Sequence, residues 1–101
     1  MMLNYLTVDQ SDDADGVVTI EALASTPAAH HGDVMAEVRQ VLDWARRHFP
    51  HTHGPVDDGN DWDDDLQVNV EGGQWHAVTL TLSASARFAE AFTAEFGPTG
   101  D

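Results

Sequence analysis

Residues 66–82 read LQVNVEGGQWHAVTLTL, and the way they pair decides the fold. Leu66, Val68 and Val70 alternate with Gln67, Asn69 and Glu71, the period of a strand with one wet face. Beyond Gly72-Gly73, Val78, Leu80 and Leu82 alternate with Ala77, Thr79 and Thr81. A two-residue Gly-Gly loop would pair Val70 with Trp75 and leave the two apolar rows on opposite faces. A three-residue loop, Gly72 to Gln74, pairs Val70 with His76 and Val68 with Val78. A one-residue slip inverts every side chain, so the three-residue loop is expected. Trp75 then falls on the wetter face.

On the C-terminal side, Ser83 or Ser85 can cap a helix over 84–96, in which Phe88, Phe92 and Phe96 recur every fourth residue. Gly97 and Pro98 stop it, and residues 98–101 should fray. On the N-terminal side, 50–65 shows no periodicity and reads as a long loop. Before it, Val34, Val38, Val41, Leu42, Ala45 and Phe49 mark the buried face of a helix over 29–49, with Arg39, Asp43, Arg46 and Arg47 opposite. Asp33 and Glu37 lie near its start, Trp44 at the margin of its buried face, and Pro50 at its end. His30 and His31 read as helix-entry residues.

Two strands precede this helix. Residues 2–8 form the first, the polar stretch Asp9 to Gly16 a turn, and 17–24 the second, broken by Ser25-Thr26-Pro27. The order ββαββα predicts an α+β fold: a four-stranded antiparallel sheet with two helices packed on one face, in one domain over 1–97. The pterin carbinolamine dehydratases share that topology. Their site looks for His-His-Pro between the first helix and the third strand, where this chain has His51-Thr52-His53-Gly54-Pro55, so the likeness extends to topology alone.

Composition narrows the chemistry. There is no Cys, hence neither disulfides nor thiolate catalysis. All four bases are Arg, so Schiff-base chemistry and a phosphate-loop lysine are excluded. A net charge of −14 repels phosphates, which argues against direct nucleic-acid or anionic-membrane binding, and it attracts basic protein surfaces or cations. No apolar run spans a bilayer and the start lacks the marks of a signal peptide, so the expected location is the cytoplasm. No Gly-x-Ser-x-Gly elbow or glycine-rich phosphate loop is present, so an enzyme is unsupported.

Ten of the thirteen Asp fall in two stretches, 9–15 and 57–65. If each element reverses direction, the two should converge at one pole, beside His48, His51, His53 and the start of the last helix. Residues 11–22, SDDADGVVTIEA, resemble the calcium loop of EF-hands, with Asp13, Asp15 and Gly16 at the third, fifth and sixth positions. Ser11 and Ala22 stand where the first and twelfth ligands belong, and strands rather than helices flank the stretch. The second acidic stretch sets Asp61, Asp63 and Asp65 at alternate positions around Trp62, oxygen ligands suited to Ca²⁺ or Mg²⁺. His48, His51 and His53 beside these carboxylates suit Zn²⁺ or Ni²⁺. The candidate metal ligands are thus Asp13, Asp15, His51, His53, Asp61, Asp63 and Asp65, although no cofactor is required.

Two tryptophans are candidate partner contacts. Trp75 lies on the wetter sheet face, and Trp62 among acids is either an anchor for its loop or an exposed contact. The reading that follows is a small acidic interaction domain, monomer or homodimer, meeting a basic protein partner through its acidic pole or open sheet face. The alternatives are a divalent-metal-binding domain and an acidic inhibitor that mimics DNA.

Overall fold

A computed structural model describes residues 3–12 and 16–97. Its elements are β1 (Thr7–Asp12), β2 (Val18–Pro27), α1 (His31–His48), β3 (Trp62–Glu71), β4 (Trp75–Ala84) and α2 (Ala86–Phe96). Short 3-10 turns occupy Ala28–His30 and Val56–Asp58. The expected ββαββα order holds, and the four strands form one antiparallel sheet in the order β1-β2-β4-β3.

The β3–β4 hairpin has the three-residue turn, with Glu71 across from Trp75, Val70 from His76 and Val68 from Val78. Gly72 and Gly73 carry φ of 59° and 74°, which L side chains adopt only with strain, so the two glycines make the turn possible. The alternation then puts Val78, Leu80, Leu82 and Ala84 under the helices together with Ile20 and Ala22 of β2, all of them buried.

The helices close this face through an aromatic cluster. Trp44 is not at the margin of the core but inside it, 5.4 Å from Phe88, 5.9 Å from Phe92 and 5.4 Å from Phe96 in edge-on contacts. Such pairs contribute about 0.5–1.5 kcal/mol each beyond the area they bury. α2 starts where Ser85 Oγ accepts the Phe88 N–H at 3.1 Å, the capping expected of this serine.

Several boundaries differ from those expected. β1 runs over 7–12 rather than 2–8, because its position is set by pairing with β2, Thr7 across from Leu23 and Asp12 from Val18. β2 continues to Pro27, which sits at the last strand position, where a missing N–H is tolerated. β3 begins at Trp62, so Asp63, Asp64 and Asp65 are strand residues paired with Ser83, Leu82 and Thr81 rather than loop residues. The tail 98–101 lies outside the described residues.

The face of the sheet away from the helices is open and polar. One row across it joins Asp9 of β1, Glu21 of β2, Thr81 of β4 and Asp65 of β3. Asp9 and Glu21 are like charges directly opposed, an arrangement that destabilises a strand pair.

The chain before β1 is held by a residue that sequence reasoning placed only near the start of the helix. Glu37 is 7% exposed, and its carboxylate accepts the backbone N–H groups of Asn4 at 2.9 Å, Tyr5 at 3.0 Å and Leu6 at 3.1 Å. Its signal lay in the helix period: with Val34, Val38 and Val41 buried, position 37 falls on the same stripe. A buried carboxylate needs hydrogen-bond donors, and here the backbone supplies them.

Candidate functional site

The first half of β3 gathers the chemistry and the second half exposes apolar surface. Trp62 opens the strand at 0% exposure. Its indole N–H donates to Phe49 O at 3.1 Å, and its ring lies between His53 at 4.1 Å and Phe88 at 5.8 Å, stacked with both. Of the two expectations for Trp62 the burial selects the anchor. A side chain with no exposed surface offers none to a partner, so Trp62 leaves the set of contact candidates. Its hydrophilic neighbours concealed this, because Asp61, Asp63 and Asp65 lie on the other side of the strand's pleat.

Residues 52–54 lie beside the outer side of this strand start. Thr52 O accepts the Asp61 and Trp62 N–H groups at 2.9 and 3.3 Å, and Gly54 N–H donates to Trp62 O at 2.9 Å. This parallel bridge between His53 and Trp62 places the imidazole over the indole and next to the acids that follow. His53 Nε2 lies 2.5 Å from Asp64 Oδ1 and 3.6 Å from Asp63 Oδ1. One ligand atom from each of His53, Asp63 and Asp64 falls within 4.8 Å of the others.

The expected metal ligands therefore separate. His53 and Asp63 come together, and Asp64, which the alternate-position reading passed over, joins them. Asp64 was missed because adjacent strand residues ordinarily point to opposite faces, whereas here the Asp63 carboxylate folds back to accept the Asp64 N–H at 2.9 Å. His51 and Asp65 are exposed and stand outside the group. Asp13 and Asp15 lie outside the described residues, and so does the test of the calcium-loop resemblance.

Asp61 has a different task. It accepts Ser85 Oγ–H at 2.8 Å and pairs with Arg87, while its backbone O accepts the Ser85 N–H at 2.7 Å. These contacts tie the start of β3 to the N-cap of α2. The Arg87 hydrogen bond is the main reason the Asp61 carboxyl sits below the usual carboxylate range; partial burial pushes it the other way, and the Ser85 bond adds to the lowering. The Arg87 guanidinium also stands 5.3 Å from the centre of the Phe49 ring.

Asp12, Val18, Ala84 and Trp62 share one row, so among the described residues Asp12 and the residues around Trp62 lie at the same end of the sheet, as the expected common pole requires. They occupy opposite edges, three strand spacings or about 14 Å apart. His48 does not face this pole's carboxylates; its Nδ1 lies 2.9 Å from Trp44 O and its ring stacks on Trp44. At the other end His31, the first residue of α1, meets His76 edge to face at 4.4 Å, in keeping with a helix-entry role.

Beyond Asp64 the helix-facing side of β3 carries Leu66, Val68 and Val70, expected as core but exposed by 38, 42 and 57%. The helices cover β2 and β4, and β3 is the edge strand, so this row projects past the roof. Trp75, 49% exposed, lies across from Glu71 on the open face, as its register predicted. A shallow groove of about 600 Å³ lies at the far edge, between β1 and α2, lined by Val18, Ala86 and Ala89 together with Asp12 and Glu90. Among the described residues no helix is long and apolar enough to cross a membrane. Compared with family models, curated proteins and solved structures, the chain matches none of them.

Proposed function

We propose that this chain is an interaction domain that meets a basic protein partner through β3 and the acidic surface around it, with no chemistry of its own. The observation that carries this reading is an edge strand of ten residues that exposes Leu66, Val68 and Val70 and is flanked by Asp63, Asp65 and Glu71. Exposed apolar rows rimmed by polar groups mark protein contacts. Trp75 adjoins the same strand and remains a contact candidate; aromatic side chains are enriched at interfaces.

The test is an amide NMR titration of the labelled chain with an eight-residue oligolysine at low and at physiological salt. Saturable shifts over residues 57–71 that weaken as salt rises support the reading. Absence of saturable shifts at either salt rules it out.

A second reading has one observation in its favour, the convergence of His53, Asp63 and Asp64. An imidazole among carboxylates suits Zn²⁺ better than Ca²⁺, which prefers oxygen alone. Titration with Zn²⁺ should then give saturable shifts at these residues that His53→Ala removes. Equal shifts in wild type and His53→Ala would refute that cation site.

A further inference from the structure

Resting on that reading, we infer that the partner enters as an extended segment of alternating apolar and basic residues, added to the outer edge of β3 as a fifth strand. Backbone parity defines the edge. Trp62 turns both its N–H and its C=O outward, where Thr52 O and Gly54 N meet them. In an antiparallel strand the N–H and C=O of one residue point to the same side, and the side alternates along the chain. Asp64, Leu66, Val68 and Val70 therefore also face outward, while Asp63, Asp65, Gln67, Asn69 and Glu71 bond to β4. The Asp64 N–H is taken by Asp63 Oδ1. That leaves the N–H groups of Leu66, Val68 and Val70 as donors for an incoming strand.

The same three residues are the exposed apolar ones. An added strand thus gains main-chain pairing and side-chain contact from one set of positions, repeating about every 6.8 Å. On the open face its intervening side chains would lie beside Asp63, Asp65 and Glu71. No arginine of this chain stands among them, since Arg39, Arg46, Arg47 and Arg87 are all on helices, and His53 meets only Asp63 of the three. The edge therefore selects a segment that is apolar at every second residue and Lys or Arg between.

A second copy of the chain is the poorer occupant. Two-fold pairing centred on Val68 sets Asp65 against Glu71 twice. Centring it on Gln67 sets Asp63 against Glu71 and Asp64 against Val70. Either register also brings together two chains of net charge −14. Charge protects this edge from itself, a recognised defence of edge strands, while leaving it open to a segment of opposite sign.

The experiment titrates the labelled chain with a ten-residue peptide alternating Val and Lys, and with a block peptide of the same composition. The alternating peptide should shift the amides of 64–71 saturably and slow exchange of the Leu66, Val68 and Val70 amides at least tenfold. Val68→Pro removes one outward donor while sparing the β4 ladder, and Val68→Lys keeps the donor but adds a like charge; each should weaken binding more than tenfold. Equal affinity for the block peptide, or unchanged affinity in both variants, overturns strand addition. So does the same amide protection in the free chain at high concentration, which would make a second copy the occupant. If shifts centre on 57–61 or on the groove at Asp12 and Glu90, the basic-partner reading survives and the edge mode falls. If no basic peptide saturates any site, both fall.

Discussion

Glu37→Ala should unfold the domain at markedly lower denaturant, although Glu37 touches neither the sheet edge nor the acidic stretches. Its carboxylate holds three consecutive backbone N–H groups, those of Asn4, Tyr5 and Leu6. Hydrogen bonds to a charged acceptor contribute about 1.5–3 kcal/mol each, and a buried donor left alone keeps its full desolvation cost. Leu6 N–H is buried and counts for about 2 kcal/mol; Asn4 and Tyr5 are partly wet and count for about 0.5 kcal/mol each. The expected loss is about 3 kcal/mol, a fall in Tm of roughly 12 °C or more for a chain of this size. Glu37→Gln keeps the shape but sets an NH₂ group against one of the donors, at about 2 kcal/mol. Urea unfolding followed by the fluorescence of buried Trp44 and Trp62 measures the loss, and amide exchange at Tyr5 and Leu6 localises it. A loss under about 0.5 kcal/mol with unchanged exchange would refute the reasoning, because the donors would then have found other acceptors.

Three further perturbations follow from the same geometry. Trp62→Ala should cost about 3–5 kcal/mol in urea unfolding as a core deletion; a near-neutral result would return Trp62 to the surface. Asp61→Asn should destabilise most near neutral pH, because a lowered folded-state carboxyl stabilises the fold above the ordinary value of 3.8 and loses that contribution as pH falls through its folded value. The stability gap between Asp61→Asn and wild type should therefore narrow below about pH 4 in a series of unfolding curves, and a gap that stays constant down to pH 2 contradicts the Arg87 pairing. Gly73→Ala should cost about 1–2 kcal/mol at its φ of 74°, with Gly73→Asn costing less. Equal effects of the two in thermal unfolding would mean that the turn relaxes to another conformation.

The sequence disclosed what local periodicity controls. Alternation around Gly72-Gly73 determined the hairpin register, because only one loop length sets Val68, Val70, Val78 and Leu80 on one face. Helix period gave α1, and serine followed by spaced phenylalanines gave α2. What it concealed depends on partners distant in the chain. Asp63, Asp64 and Asp65 are poor strand formers and read as loop, yet β4 is long enough to draw them into the ladder. The row Leu66, Val68, Val70 had the pattern of core and is exposed, because periodicity states which side a residue takes but not how far the helices reach. The candidate site was half legible. His53 and Asp63 were found from their composition and spacing, while Asp64 depended on a local backbone contact and Asp61 on Arg87, 26 residues away.

Like charges lie along both edges of the open face, Asp9 opposed to Glu21 on β1–β2 and Asp63 beside Asp65 on β3, and they would give folding and the proposed binding contrary responses to ionic strength. Added salt screens like charges within the sheet and firms the free domain. The same ions would compete with the lysine- or arginine-bearing segment proposed for the edge and loosen its complex. Such a segment would do locally what salt does globally, each charge laid beside Asp63 or Asp65 easing the repulsion between those two neighbours on one face of β3. Affinity of that kind would be drawn partly from a repulsion already present in the unbound fold, and would be greatest in dilute buffer, where the free domain is least stable.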